Sequence, residues 1–145
     1  RHPFRVRHIF FLKVNIDRPE ELPEGGLKLS VSTEIALGFP EDGEDYNLNL
    51  RVRSLNGPAI GLELEIVTVG VFRYLDEGEP DEVQLTGFIN EHLLIAMTSR
   101  VIQLVATLTN QMGMPPIWLP TPRGFGLEVS TVKQLIGTFQ QELDL

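Results

Sequence analysis

The sequence predicts an α+β domain: a four-stranded antiparallel sheet, then a long helix and an amphipathic C-terminal helix, with the helices on one side of the sheet. Three observations predict it. Apolar residues recur at every second position in four segments before residue 75. Asn90–Gly113, NEHLLIAMTSRVIQLVATLTNQMG, is a long apolar run opening on a capping residue and closing on a glycine. From Thr131 onward, Val132, Leu135, Ile136, Phe139 and Leu143 keep helical spacing.

In the first strand Phe4, Val6, Phe10, Leu12, Val14 and Ile16 share a face, with Arg5, Arg7, Lys13, Asn15 and Asp17 opposite. Its middle, Ile9-Phe10-Phe11-Leu12, is apolar on both faces. In the second, Leu27, Leu29, Val31 and Ile35 alternate with Lys28, Ser30, Ser32 and Glu34. Tyr46, Leu48, Leu50 and Val52 alternate with Asn47, Asn49, Arg51 and Arg53 in the third. The fourth runs from Ile60 through Leu62, Leu64 and Ile66 to Phe72 and Tyr74. One polar face per strand means an antiparallel sheet, packed on one side and wet on the other. Arg18–Gly26, with two prolines, is too long for a tight hairpin and reads as a crossover that changes strand order. Phe39–Asp45 and Asn56-Gly57-Pro58 read as turns, and Leu75–Glu82 as an acidic loop.

The long helix is apolar nearly all round: Leu94, Met97, Val101, Leu104, Val105 and Leu108 are joined by Leu93, Ile95 and Ile102. Such a helix must be covered on every side. Arg100 and Gln103 in its middle argue against membrane insertion. A second subunit is the expected cover, and the six residues named first are the expected oligomer interface.

Residues 1–145 read as a single domain with a core of its own. A net charge of −8 argues against nucleic acid as partner, because phosphates need clustered Lys and Arg. The absence of cysteine excludes disulfides and a thiol nucleophile and fits a cytoplasmic protein. No charged–apolar–small leader pattern opens the sequence, whose first residue is Arg1.

Catalytic patterns are weak, and no cofactor or metal is expected. Ser130-Thr131-Val132-Lys133 matches S-x-x-K without its companion motifs, and reads better as a helix cap beside a solvated lysine. Gly124-Phe125-Gly126 is a fragment of a phosphate loop. His2, His8 and His92 lack ligand spacing, and His8 reads as a core histidine on the apolar face of its strand. Glu41–Asp45 lacks the ligand order of a calcium loop and reads as a solvated turn. What remains is apolar surface. Met114–Phe125 holds Met114, Ile117, Trp118, Leu119 and Phe125 on a proline-stiffened loop, suited to core filling or to the wall of a groove for apolar polypeptide.

These residues resemble the SecB export chaperones. Phe4-Arg-Val-Arg-His-Ile-Phe, running to Asp17-Arg18-Pro19, is similar to the family's first strand and its exit. Gly70-Val71-Phe72 resembles the end of its fourth strand, and Pro115–Leu119 with Pro122–Phe125 its helix-connecting loop. The resemblance covers nearly the whole chain. It implies a homotetramer, a dimer of dimers, acting in the cytoplasm as an ATP-independent holdase for unfolded polypeptides or preproteins, with no catalysis. Carried over by position, the client groove would comprise Leu62, Leu64, Ile66, Met114, Trp118, Leu119, Phe125, Leu135 and Phe139. Docking of the export motor SecA would use Asp17, Glu63 and Glu65.

The chain departs from the family pattern on that docking face. Lys13 stands where the pattern carries an acid, Glu63 where it carries an aliphatic residue, and Arg5, Arg7, Arg51 and Arg53 share the face. A face of mixed charge changes partner choice and on-rate. The alternatives to an export holdase are a SecB-like chaperone dedicated to one client, such as an antitoxin, and a scaffold oligomer without a client.

Overall fold

The computed structural model describes residues 3–21, 25–41, 45–122, 128–129 and 134–145. The four alternating segments form β1 (Phe4–Asp17), β2 (Lys28–Gly38), β3 (Tyr46–Ser54) and β4 (Glu63–Tyr74). They are joined by a two-residue β5 (Glu128–Val129) and by β6 (Gln134–Asp144) in an antiparallel sheet ordered β1-β4-β3-β2-β6-β5. β1 and β2 are therefore not neighbours, as the crossover reading expects, because β4 and β3 lie between them.

β4 begins later than its alternation suggests. Gly57–Ile60 makes one helical turn (α1), with Pro58 in its first turn, and Gly61 ends it at φ 76°. Pro58 fixes φ for the turn and glycine supplies the left-handed exit.

β1 explains why its own middle looks apolar on both faces. Its pairing with β4 slips between Val6 and His8 and again between Phe11 and Lys13. Arg7 and Leu12 are thus single-residue insertions, each of which inverts the faces beyond it. Between them Ile9 and Phe11 face the same side as Phe4, while Phe10 turns to the other; after Leu12 the original phase returns. His8 is accordingly not a core histidine. It is exposed on the outer face, edge-on to Phe10 with ring centroids 5.4 Å apart.

The helix α2 (Glu82–Gln111) starts eight residues before Asn90. Asp81 accepts a hydrogen bond from the Gln84 backbone at 2.7 Å, and the Gln84 side chain accepts one from the Asp81 backbone. This is a reciprocal cap that satisfies two otherwise open donors. Asn90 lies instead inside a π-turn, Ile89–Leu93. The turn inserts one residue, so the steps from Phe88 to Leu93 and from Ile89 to Leu94 are five residues and both rows stay on the sheet. Gly113, at φ 80°, ends the helix as its position predicts.

One face of α2 packs on the sheet through Leu85, Phe88, Ile89, Leu93, Leu94, Met97, Val101 and Val105. Gly70 permits the close approach: a β-carbon there would lie 2.8 Å from the Met97 sulfur. At the start of the helix Phe4 stacks on Phe88 at 4.6 Å, and Tyr46 on Phe72 at 5.0 Å. The opposite face exposes Ile95, Ala96, Ser99, Gln103 and Thr107. Length and composition alone would let this helix cross a membrane. Here its sheet-facing side forms the core, and the opposite side mixes Ile95 and the half-buried Ile102, Leu104 and Leu108 with polar residues.

The C-terminal segment is also corrected. It is a strand, paired with β2 from Lys28↔Asp144 to Gly38↔Gln134. A spacing of four, as in Leu135, Phe139 and Leu143, suits one turn of helix and equally two steps of strand.

Candidate functional site

The loop after α2 is built from the helix end outward. Thr109, buried in the last turn, donates to the Val105 carbonyl at 2.7 Å and accepts from the Ile117 backbone at 3.0 Å. Arg18, leaving β1, donates to the Met112 carbonyl at 2.6 Å, placing a cation on the open carbonyls of the helix C-terminus. From there the proline-held chain alternates. Ile117 and Leu119 turn inward and are buried, and Trp118 between them is 60% exposed.

Under this loop lies an apolar cleft. Val31 and Val52 of the sheet form its floor, Val101 and Ile102 of α2 one wall, Leu119 and Pro122 the other, and Gln141 of β6 reaches its mouth. The internal space is ≈ 10 Å³, about enough for one water.

The residues expected in a client groove are not all accessible in this chain. Leu62, just before β4, and Leu64 and Ile66 on its helix-facing side are buried, as are Met114 and Leu119 in the loop. Trp118 is open and Phe139 is half-buried on β6. Leu135 is described only as a backbone position opposite Leu37. Phe125 lies outside the described residues, as do Gly124, Gly126, Ser130, Thr131 and Lys133. Of the expected oligomer interface, Leu94, Met97, Val101 and Val105 are buried against the chain's own sheet, while Leu104 and Leu108 are half-buried at its margin.

Asp17, Glu63 and Glu65 do come together. Asp17 pairs with Glu63 across β1 and β4, and Glu65 sits one pair further along the same outer face. Asp17 and Glu63 are exposed. Glu65 forms an ion pair with Lys13 and receives two bonds from Arg51, at 2.5 and 2.7 Å. The Lys13 ammonium first, and then the Arg51 guanidinium, hold its carboxyl below the usual range. Elsewhere on this face Arg53 pairs with Glu34, and Asp45 bridges Arg73 and Arg7. The face is a lattice of matched charges rather than an acidic plate.

Sequence reasoning missed the free edge of the sheet. Among the described residues β1 has β4 on one side and no strand on the other, and exposes Phe11, Leu12 (65%) and Val14 along its second half. The signal was the doubly apolar Ile9–Leu12 run, which strands buried on one face rarely need. Among the described residues, no group of three His, Asp or Glu side chains converges as a metal site.

No protein-family model matches the chain, and no curated protein matches its sequence. Its fold is similar to that of the SecB-like chaperone of Mycobacterium tuberculosis, solved in complex with a ChAD peptide from the HigA1 antitoxin. The two align with a TM-score of 0.61 over 82% of this chain and 87% of that one, at 18% identity. The chain thus has a SecB-like chaperone fold, and the likeness is one of fold.

Proposed function

We propose that this protein is an ATP-independent holdase that keeps non-native polypeptide extended and soluble. The observation that carries the reading is the SecB-like fold. It is supported by Trp118, held out in water by the proline-stiffened loop whose next residues, Leu119 and Pro120, line an apolar cleft. The chemistry is burial alone: each client side chain fully removed from water contributes ~1.5–3 kcal/mol, less the cost of ordering the client. The working form is a cytoplasmic homotetramer. In it the free edge of β1 and the mixed face of α2 meet further copies, since an edge strand with exposed apolar side chains offers a template for strand pairing.

Preproteins awaiting export are the first client class. A second reading, a dedicated client, is favoured by two observations. The similar SecB-like protein of M. tuberculosis was solved with an antitoxin peptide. In this chain Lys13 and Arg51 neutralise Glu65 at the centre of the expected SecA-docking face. Light scattering from a chemically unfolded, aggregation-prone protein, diluted into this one without nucleotide, tests the holdase. Suppression near stoichiometric oligomer is expected. Aggregation unchanged at large excess removes general chaperoning and leaves the dedicated client or the scaffold.

A further inference from the structure

β6 satisfies the backbone of β2 but fits its side chains poorly. On the helix-facing row β2 presents Leu29, Val31, Thr33, Ile35 and Leu37, each at most 3% exposed. Opposite them β6 carries Leu143, Gln141, Phe139, Gly137 and Leu135. Gly137 therefore brings nothing to Ile35, and Gln141 brings an amide to Val31 at the mouth of the apolar cleft. Away from that row Ile136, Thr138, Gln140, Glu142 and Asp144 are exposed. A strand added to a sheet edge draws affinity from main-chain bonds and selectivity from alternate side-chain positions. β6 uses the first fully and the second in part.

We infer that β6 is a resident stand-in on a strand-addition site. An extended client segment with apolar residues at alternate positions displaces it, pairs antiparallel with β2, and sets an apolar side chain into the cleft at the register of Gln141. This deepens the holdase reading and rests on it. A tethered strand competes at an effective concentration on the order of millimolar. The site would therefore refuse weak or polar segments and accept those that set apolar side chains opposite Val31 and Ile35, where β6 carries Gln141 and Gly137. Released β6 would expose no edge of the core, because the client takes its place.

The chain has no cysteine, so a single engineered disulfide tests the exchange cleanly. Ser30 and Glu142 are paired positions on the outer row. Partners across a ladder lie within the ~4.4–6.8 Å that a disulfide spans. Ser30→Cys with Glu142→Cys locks β6 when oxidised and frees it when reduced. The probe is a fluorescent synthetic copy of β6 carrying Gly137→Val and Gln141→Leu, followed by anisotropy. The reduced protein is expected to bind it at least tenfold more tightly than the oxidised, with unfolded protein competing it off. Should the lock not form, Gln141→Leu in the full chain is expected to fill the cleft from within and weaken peptide binding several-fold. Equal binding by locked and unlocked protein overturns the inference, as does an unchanged affinity in a folded Gln141→Leu variant. If the peptide fails on reduced protein that still suppresses aggregation, strand exchange falls and the holdase stands. If neither probe nor unfolded protein binds the wild type, both fall.

Discussion

Glu65 shows how single positions set the character of the outer face. Lys13 and Arg51 lower its carboxyl below the ordinary value of 4.5. The folded state therefore gains stability from the charged form at any pH above that value, and loses it as pH falls through the lower folded value. Glu65→Gln removes this gain. Half-exposed partners limit the loss to ~1 kcal/mol at neutral pH, and the gap between variant and wild type should close below about pH 4, read by urea melts across a pH series. Arg51 and Glu65 are legible as outer-face residues in the sequence because strict alternation assigns faces, and Lys13 because the second insertion in β1 restores the original phase. His8 defeats the same reasoning. An insertion at Arg7 shifts the phase by one, and a period of two carries no record of the shift.

At the scale of elements, β2 and β3 are readable because both keep one polar face along their length. The start of α2 is legible in principle. Asp81 and Gln84 form the D-x-x-Q spacing of a reciprocal cap, but the acidic loop before them masks it. Asp81→Ala should cost ~1 kcal/mol and speed amide exchange in the first helical turn while leaving Leu94–Gln111 protected. Protection lost evenly along the helix would mean that the cap nucleates the whole element. The C-terminal strand is not legible. Leu135, Phe139 and Leu143 fit both periods, and what decides between them is the open edge of β2, a partner distant in sequence. Tertiary pairing overrides a local pattern that is ambiguous by construction.

For the whole molecule, the central question is what meets the free edge of β1. Phe11, Leu12 and Val14 expose apolar side chains on a strand that, among the described residues, has no strand neighbour on one side. Leu12→Lys with Val14→Lys should lower the assembly by at least one step in sedimentation at micromolar concentration, with the monomer still folded by circular dichroism. An unchanged assembly would shift the contact to the mixed face of α2. The candidate cleft is half legible. The proline-held loop announces an apolar display, yet only the fold shows that Ile117 and Leu119 go inward and Trp118 outward, because that choice depends on the anchor Thr109 provides.

Trp118 is the chain's single tryptophan, and it stands in water on the loop that closes one side of the cleft. The protein therefore carries its own optical reporter, with no second indole to dilute the signal. Whatever settles beside that ring changes the polarity around the sole indole emitter, so occupancy can be followed in the unmodified chain, at low concentration and in real time.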